Sequence, residues 1–416
     1  MKSLTSVTVD EALERIEPGS TVMLHAACAE PQTLVEGLMT GIRQGRANLR
    51  DLTLIGLTYR GAGADAPPYA DLALLQSGRL RLKTFFPVAA LREAVRAGLV
   101  DYVPASFASL PGLIRAGHLR PDIALVQVTP PDEHGRCSFG VAAPMAPALL
   151  DAGVPMVAEM NRRMPFTYGV SAPVERLTAI VETDRPLLEA CGNAPGVLEG
   201  QVADQVVRWV QDGATLQLGV GAVPEAVMAR LIHHRNLGLW GSALVDASVD
   251  LLESGAVTNL ARPGDPGVTV ASVLMGTRRL FDFVDRNRQF ELRGIDACNS
   301  PRLISQLRRL VSINAALEVD YQGQVNSESL GGHAVAGGGS VSDFVAGVWQ
   351  SDDALAIVAL PSATPSGRPR IVPRLSEGAP VTLPRQMAQV IVTEKGSADL
   401  RGKSLSERER LLRAIA

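Results

Sequence analysis

Short, unbroken aliphatic runs punctuate this chain: "LTLIGLT" from Leu52, "IALVQVTP" from Ile123, "VPMVAEM" from Val154 and "ALAIVALPS" from Ala354. Runs of this kind, which do not alternate with polar residues, predict strands buried on both faces, as in parallel sheets. Between them lie segments with helical spacing, "AALREAVRAGL" from Ala89 and "VADQVVRWVQDG" from Val202. Strands alternating with helices predict an α/β fold with mainly parallel sheets and crossover connections. Ligands of such sheets sit beyond the carboxyl ends of the strands.

The pattern occurs twice. "IEPGSTVMLHAACAEPQTLVEGLM" from Ile16 and "VQDGATLQLGVGAVPEAVMARLI" from Val210 share one grammar: a glycine turn, a short strand, a small-residue loop, a proline opening a helix, and an apolar helical face. Proline is tolerated in a first helical turn because the N–H groups there have no intrahelical acceptor. This predicts two similar Rossmann-like domains, each opened by the same strand–loop–helix unit. The Gly/Pro cluster "GNAPGVLEG" over 192–200 marks the join, giving an N-terminal domain over 1–195 and a C-terminal domain over 196–416. A chain of 416 residues also exceeds what one core usually organises.

Composition narrows the partners. Aromatic residues are 4% against 46% hydrophobic, so the core must be built from Ala, Val, Leu and Ile. A net charge of −3 supplies no global basic field, which argues against nucleic acid or an anionic membrane and requires any phosphate site to be local. The opening "MKSLTSVTVDEALERI" has no apolar signal region, and no stretch approaches the ~20 apolar residues that span a bilayer. A cytoplasmic enzyme is the expectation. Cys28, Cys137, Cys191 and Cys298 lie far apart without C-x-x-C spacing, so neither a disulfide framework nor a metal site is expected.

Several loops have the chemistry to hold an anion or a carbonyl. In "QLGVGAVPEAV" from Gln217, Gly219 and Gly221 follow a strand and precede a helix expected to begin near Pro224, where free N–H groups face an anion. Gly337, Gly338 and Gly339 beside Ser340 form a second loop of exposed backbone. The polar stretch from Ser312 to Ser329, with Asn314, Glu318, Asp320, Gln324, Asn326 and Glu328, predicts a hydrogen-bonded loop rather than a strand interior. In "TPPDEHGRCSFG" from Thr129, His134 beside Asp132 and Glu133 is a titratable candidate.

These segments, together with "VIVTEKGSADLRGKSLSERER" from Val390 and "EMNRRMPFTYG" from Glu159, resemble the class I CoA-transferase group that contains 4-hydroxybutyrate CoA-transferase and acetyl-CoA hydrolase. The resemblance implies coenzyme A or acyl-CoA as substrate, an acyl or CoA acceptor, and a homodimer. It implies CoA contacts, mainly in the C-terminal domain, from Gly219, Val220, Gly221, Ala222, Val223, Asn314, Leu317, Gly337, Gly338, Gly339 and Ser340, with the triple-glycine loop approaching the thioester carbonyl.

In that family a Glu carboxylate attacks the acyl-CoA and passes through a mixed anhydride to a glutamyl-CoA thioester. The matching stretch here is "LGLWGSALVDA" from Leu237: Trp240 replaces the family's His, Ser242 replaces the Glu, and Asp246 remains. Ser242 cannot form a glutamyl-CoA thioester. Three mechanisms stay open: an acyl-serine at Ser242 activated by His134, Asp246 or Glu318; direct attack on a thioester held by oxyanion donors; and a catalytically silent acyl-CoA binder. A relocated acid, with Glu225 the nearest loop acid, would restore ordinary CoA transfer.

Overall fold

The computed structural model describes residues 6–57, 67–192, 194–261, 264 and 266–416. The chain forms two compact units: one contains the residues up to Ala105, Ser109–Cys191 and Ser272–Asp296; the other contains Ser106–Ala108, Gly192–Ala271 and Ala297–Ala416. A single cut into 1–195 and 196–416 does not describe them, because 272–296 returns to the first unit and 106–108 joins the second. Returns of this kind leave no mark on local sequence pattern.

The first unit is built on seven strands: β1 (Thr21–Leu24), β2 (Leu52–Gly56), β3 (Leu80–Thr84), β4 (Val100–Tyr102), β5 (Ile123–Val128), β6 (Met156–Asn161) and β7 (Leu177–Thr183). Their order is β7-β6-β5-β1-β2-β3-β4, and every pairing is parallel. The order reverses between β1 and β5. Helix α1 (Gln32–Arg43) follows β1 and buries Leu34, Val35, Leu38, Met39 and Ile42 along one face. Pro31 precedes it without a side-chain cap. Glu159 of β6 supplies the cap instead, accepting from the Thr33 and Leu34 N–H groups at 2.7 and 3.2 Å. Burial raises the pKa of this carboxyl against the pull of those donors.

The main sheet of the second unit has six strands: β8 (Thr215–Leu218), β9 (Gly238–Leu239), β10 (Leu310–Ala315), β11 (Leu355–Ala359), β12 (Val390–Thr393) and β13 (Gly396–Asp399). Their order is β9-β8-β10-β11-β12-β13, parallel except for the hairpin β12–β13. Here the order reverses between β8 and β10. Its helices include α2 (Val197–Val206), α3 (Ala222–Arg230), α4 (Ala247–Glu253) and α5 (Val341–Val348). Trp240, Phe344, Val345, Val358 and Ile391 share its core. Asp343 of α5 holds the 106–108 segment, accepting from the Ala108 N–H at 3.1 Å and from Asn299 Nδ2 at 2.9 Å.

Both repeat segments thus form strand–loop–helix units. Four local expectations need correction. Helix α2 begins at Val197 rather than Val202, and the Ala89 segment is a 3-10 turn over Ala89–Leu91 followed by a helix over Arg92–Arg96. Pro224 is the third residue of α3, still within the turn whose N–H groups lack intrahelical acceptors. The polar run from Ser312 does not open as a loop, since Ser312 and Asn314 lie inside β10. Cys28, Cys137 and Cys298 are buried and Cys191 is exposed. Among the described residues no helix is long and apolar enough to cross a membrane.

Candidate functional site

In an open parallel sheet the crevice for ligands lies outside the carboxyl ends of the strands, where strand order reverses. In the second unit that edge collects most of the candidates. The Gly219–Val223 loop leaves β8, Asn314–Leu317 closes β10, and Trp240–Ser242 leaves β9.

Trp240 is 4% exposed and its Nε1–H donates to the Cys298 carbonyl at 2.8 Å. It is a satisfied core residue. Its own backbone N–H bonds to Leu216 O and the next one, of Gly241, to Val270 O, so the turn that presents Ser242 is anchored on two sides. Ser242 is 8% exposed, and its Oγ lies 2.5 Å from Ser340 Oγ. Ser340 occupies the N-cap position of α5 but makes no side-chain cap bond. Its hydroxyl faces Ser242 instead.

Two glycines here have conformations that a side chain resists. Gly221 precedes α3 at φ 134° and Gly339 precedes Ser340 at φ 57°. Gly219 and Gly338 have ordinary backbones, and an added Cβ would meet only normal contacts, with Asn314 Oδ1 at 3.4 Å and with Glu328 Oε1 at 3.6 Å respectively. Between the loops, Val220 is 47% exposed while Val223 is buried; Ala222 opens α3. Gly337 is buried, Leu317 is half-buried, and the Leu317 N–H bonds to Asn326 O at 2.9 Å.

Asn314 belongs to a closed polar network. Gln217 on β8 lies in register with Ser312 on β10. Gln217 Oε1 accepts from Ser312 Oγ at 2.5 Å and from Asn314 Nδ2 at 3.1 Å, while Asn314 Nδ2 also reaches Ser312 Oγ at 3.0 Å. Gln217 Nε2 returns to Asn314 Oδ1 at 3.3 Å. Buried polar side chains are tolerated in the strand because each finds a partner. Gln217→Leu is expected to lower stability by about 1–3 kcal/mol by stranding Ser312 and Asn314. The triple change Gln217→Leu, Ser312→Ala, Asn314→Leu should regain much of that loss, measured by urea denaturation; equal losses would mean that packing, not pairing, holds the site.

The acids divide into two kinds. Asp320 accepts from the Gln322 and Gln324 N–H groups, and Glu318 accepts from the Ser376 N–H at 2.8 Å and Oγ at 2.7 Å, so both organise irregular backbone. Glu225 in the first turn of α3 is different: burial and the nearby Asp246 charge hold its carboxyl above the ordinary range. Asp246 precedes α4 and makes no side-chain cap bond to it. His134 lies in the first unit with a side chain 75% exposed, on a turn organised by Asp132. Among the described residues no cluster of three or more His, Cys, Asp or Glu side chains is arranged to hold a metal ion.

Comparison with known proteins places this geometry. Residues 4–189 match the acetyl-CoA hydrolase/transferase N-terminal domain and residues 276–416 its C-terminal domain. The chain is 36% identical to the 4-hydroxybutyrate coenzyme A transferase of Clostridium kluyveri over 412 residues, covering 99% of this chain and 94% of the relative. Among solved structures, RipA from Yersinia pestis superposes with a TM-score of 0.91 at 30% identity, covering 99% and 93% of the two chains. The 4-hydroxybutyrate CoA-transferase of Porphyromonas gingivalis does so at 0.80 and 30%, covering 99% and 94%. The chain belongs to the acetyl-CoA hydrolase/transferase family, whose enzymes act on acyl-CoA thioesters.

Proposed function

We propose that this enzyme transfers or releases the acyl group of an acyl-CoA without a glutamyl-CoA intermediate. The observation that carries the reading is the Ser242–Ser340 hydroxyl pair at 2.5 Å, beside the triple-glycine loop, where the family resemblance calls for a carboxylate. In this reading Ser242 Oγ attacks the thioester carbonyl, the C–S bond breaks, and the serine proton leaves with the CoA thiol. Water, an amine or an alcohol then takes the acyl group from the serine and leaves its own proton behind. Gly337, Gly338, Gly339 and Ser340 face the carbonyl; Gly219–Val223, Asn314 and Leu317 hold CoA; Asp246 is the acid nearest to Ser242 in the sequence. A cytoplasmic homodimer is the setting.

A second reading rests on Glu225. A half-buried carboxyl raised by its surroundings is a common property of functional acids, and it offers conventional carboxylate CoA transfer through a displaced nucleophile. The test is to incubate the protein with a panel of acyl-CoAs, with water, amine or carboxylate as acceptor, following free thiol and intact mass. Thiol release with a transient acyl adduct at Ser242 is the expected result. An adduct at Glu225 and exchange between carboxylates would select the second reading, while CoA binding with neither release nor adduct would leave a silent binder.

A further inference from the structure

The second unit contains a cation whose hydrogen-bonding edge faces no protein acceptor. Arg370 follows the loop that leaves β11, and its backbone is fixed on both sides: its N–H donates to Ser362 O at 2.8 Å and its carbonyl accepts from the Val319 N–H at 2.8 Å. The side chain turns to the end of β10, where Nη1 makes a long 3.4 Å contact with the Ala316 carbonyl. Nε is buried without an acceptor. Among the described residues no carboxylate forms an ion pair with Arg370; Glu199 of α2 acts on it only through its charge, while burial penalises the guanidinium.

A guanidinium presents Nε–H and Nη2–H as two parallel donors, the geometry that grips a phosphate or carboxylate with both oxygens. Leaving Nε unpaired while half-burying the charge costs free energy, which an anionic oxygen brought to it offsets. The placement is apt: Ala316 lies just past the carboxyl end of β10, the strand at which sheet order reverses and which carries Asn314.

We propose that the Nε/Nη2 edge of Arg370 is an oxyanion subsite for the substrates, receiving a phosphate of the CoA nucleotide or the carboxylate of a second substrate. The inference rests on reading this sheet edge as the acyl-CoA site. Its test uses the full chain with Arg370→Gln and Arg370→Lys, each first checked by thermal melting. CoA affinity is measured by calorimetry, with an acyl-pantetheine thioester as the phosphate-free substrate and acetate as the carboxylate.

Losing a two-pronged charged contact should weaken its ligand on the order of 10- to 100-fold, with Lys recovering part of the loss because it keeps the charge and not the fork. If the phosphate is the ligand, Arg370→Gln loses CoA affinity while acyl-pantetheine turnover stays at the wild-type rate. If the carboxylate is, CoA affinity holds and the affinity for acetate, read by the same calorimetry, falls instead. Folded variants unchanged in both would overturn the subsite. A wild-type protein that neither binds CoA nor consumes acyl-CoA would instead overturn the reading of the edge on which the subsite depends.

Discussion

Ser242→Ala is expected to lower acyl-CoA turnover by roughly three orders of magnitude or more, the scale on which serine acyl-transfer enzymes lose rate when the nucleophile is removed. Melting temperature should barely change, since the hydroxyl's hydrogen bond goes to one other hydroxyl, that of Ser340. Ser340→Ala should cost less, about tenfold, because it removes the group that orients Ser242 and leaves the attacking atom in place. Turnover that survives Ser242→Ala intact would eliminate the acyl-serine and leave direct attack on a thioester polarised by the glycine loop. Ser242→Glu is the constructive counterpart. It puts a carboxylate at the end of β9 beside Ser340, and exchange of CoA between labelled carboxylic acids would then demonstrate that the apparatus for anhydride chemistry is still assembled around this position. No exchange from a folded Ser242→Glu protein would mean that its surroundings, including Trp240 in the core, no longer serve that reaction.

The parallel strands were legible because burial on both faces leaves an aliphatic signature that needs no knowledge of neighbours, as in Ile123–Val128 and Leu355–Ala359. Strand β10 was not legible, because the residues that make Ser312 and Asn314 acceptable inside a sheet come from Gln217 on another strand. Polar density reads as a loop unless the partner is known. Helix α2 started early because its first residue, Val197, is exposed and adds nothing to an apolar face.

The same distinction runs through the site. Ser242 could be singled out by what the resemblance requires there, and Ser340 by its place after three glycines, but their pairing joins residues far apart in the chain. Glu318 and His134 had the right chemistry in sequence; their hydrogen bonds and exposure assign the first to a turn and put the second on the surface. Arg370 carried no signal at all. An arginine among prolines in "SGRPRIVPR" stands out only when its Nε is found buried with nothing to bond.

Acid should destabilise the first unit through His25, a residue that no motif marks. It follows β1 at the reversal of strand order, beside a small cavity lined by Leu24, Ala124, Val126, Phe139 and Met145. Gln127 N–H donates to Nδ1 at 3.1 Å and Nε2 lies 2.5 Å from the Ala142 carbonyl, an arrangement that suits the neutral ring, with Nδ1 accepting and Nε2 donating. Burial pulls its pKa from 6.5 to about 4. Because the folded value is the lower one, this contribution is fully present above pH 6.5 and is lost as pH falls from there through about 4, a total of roughly 3 kcal/mol. Urea denaturation of the wild type and of His25→Gln at pH 7, 5.5 and 4 isolates the effect, since carboxylates titrate alike in both proteins. The variant starts less stable, having lost the acceptor for Gln127, and the gap should narrow or invert by pH 4. A gap that stays constant across that range would mean that His25 takes up no proton on unfolding and that the acid sensitivity lies elsewhere.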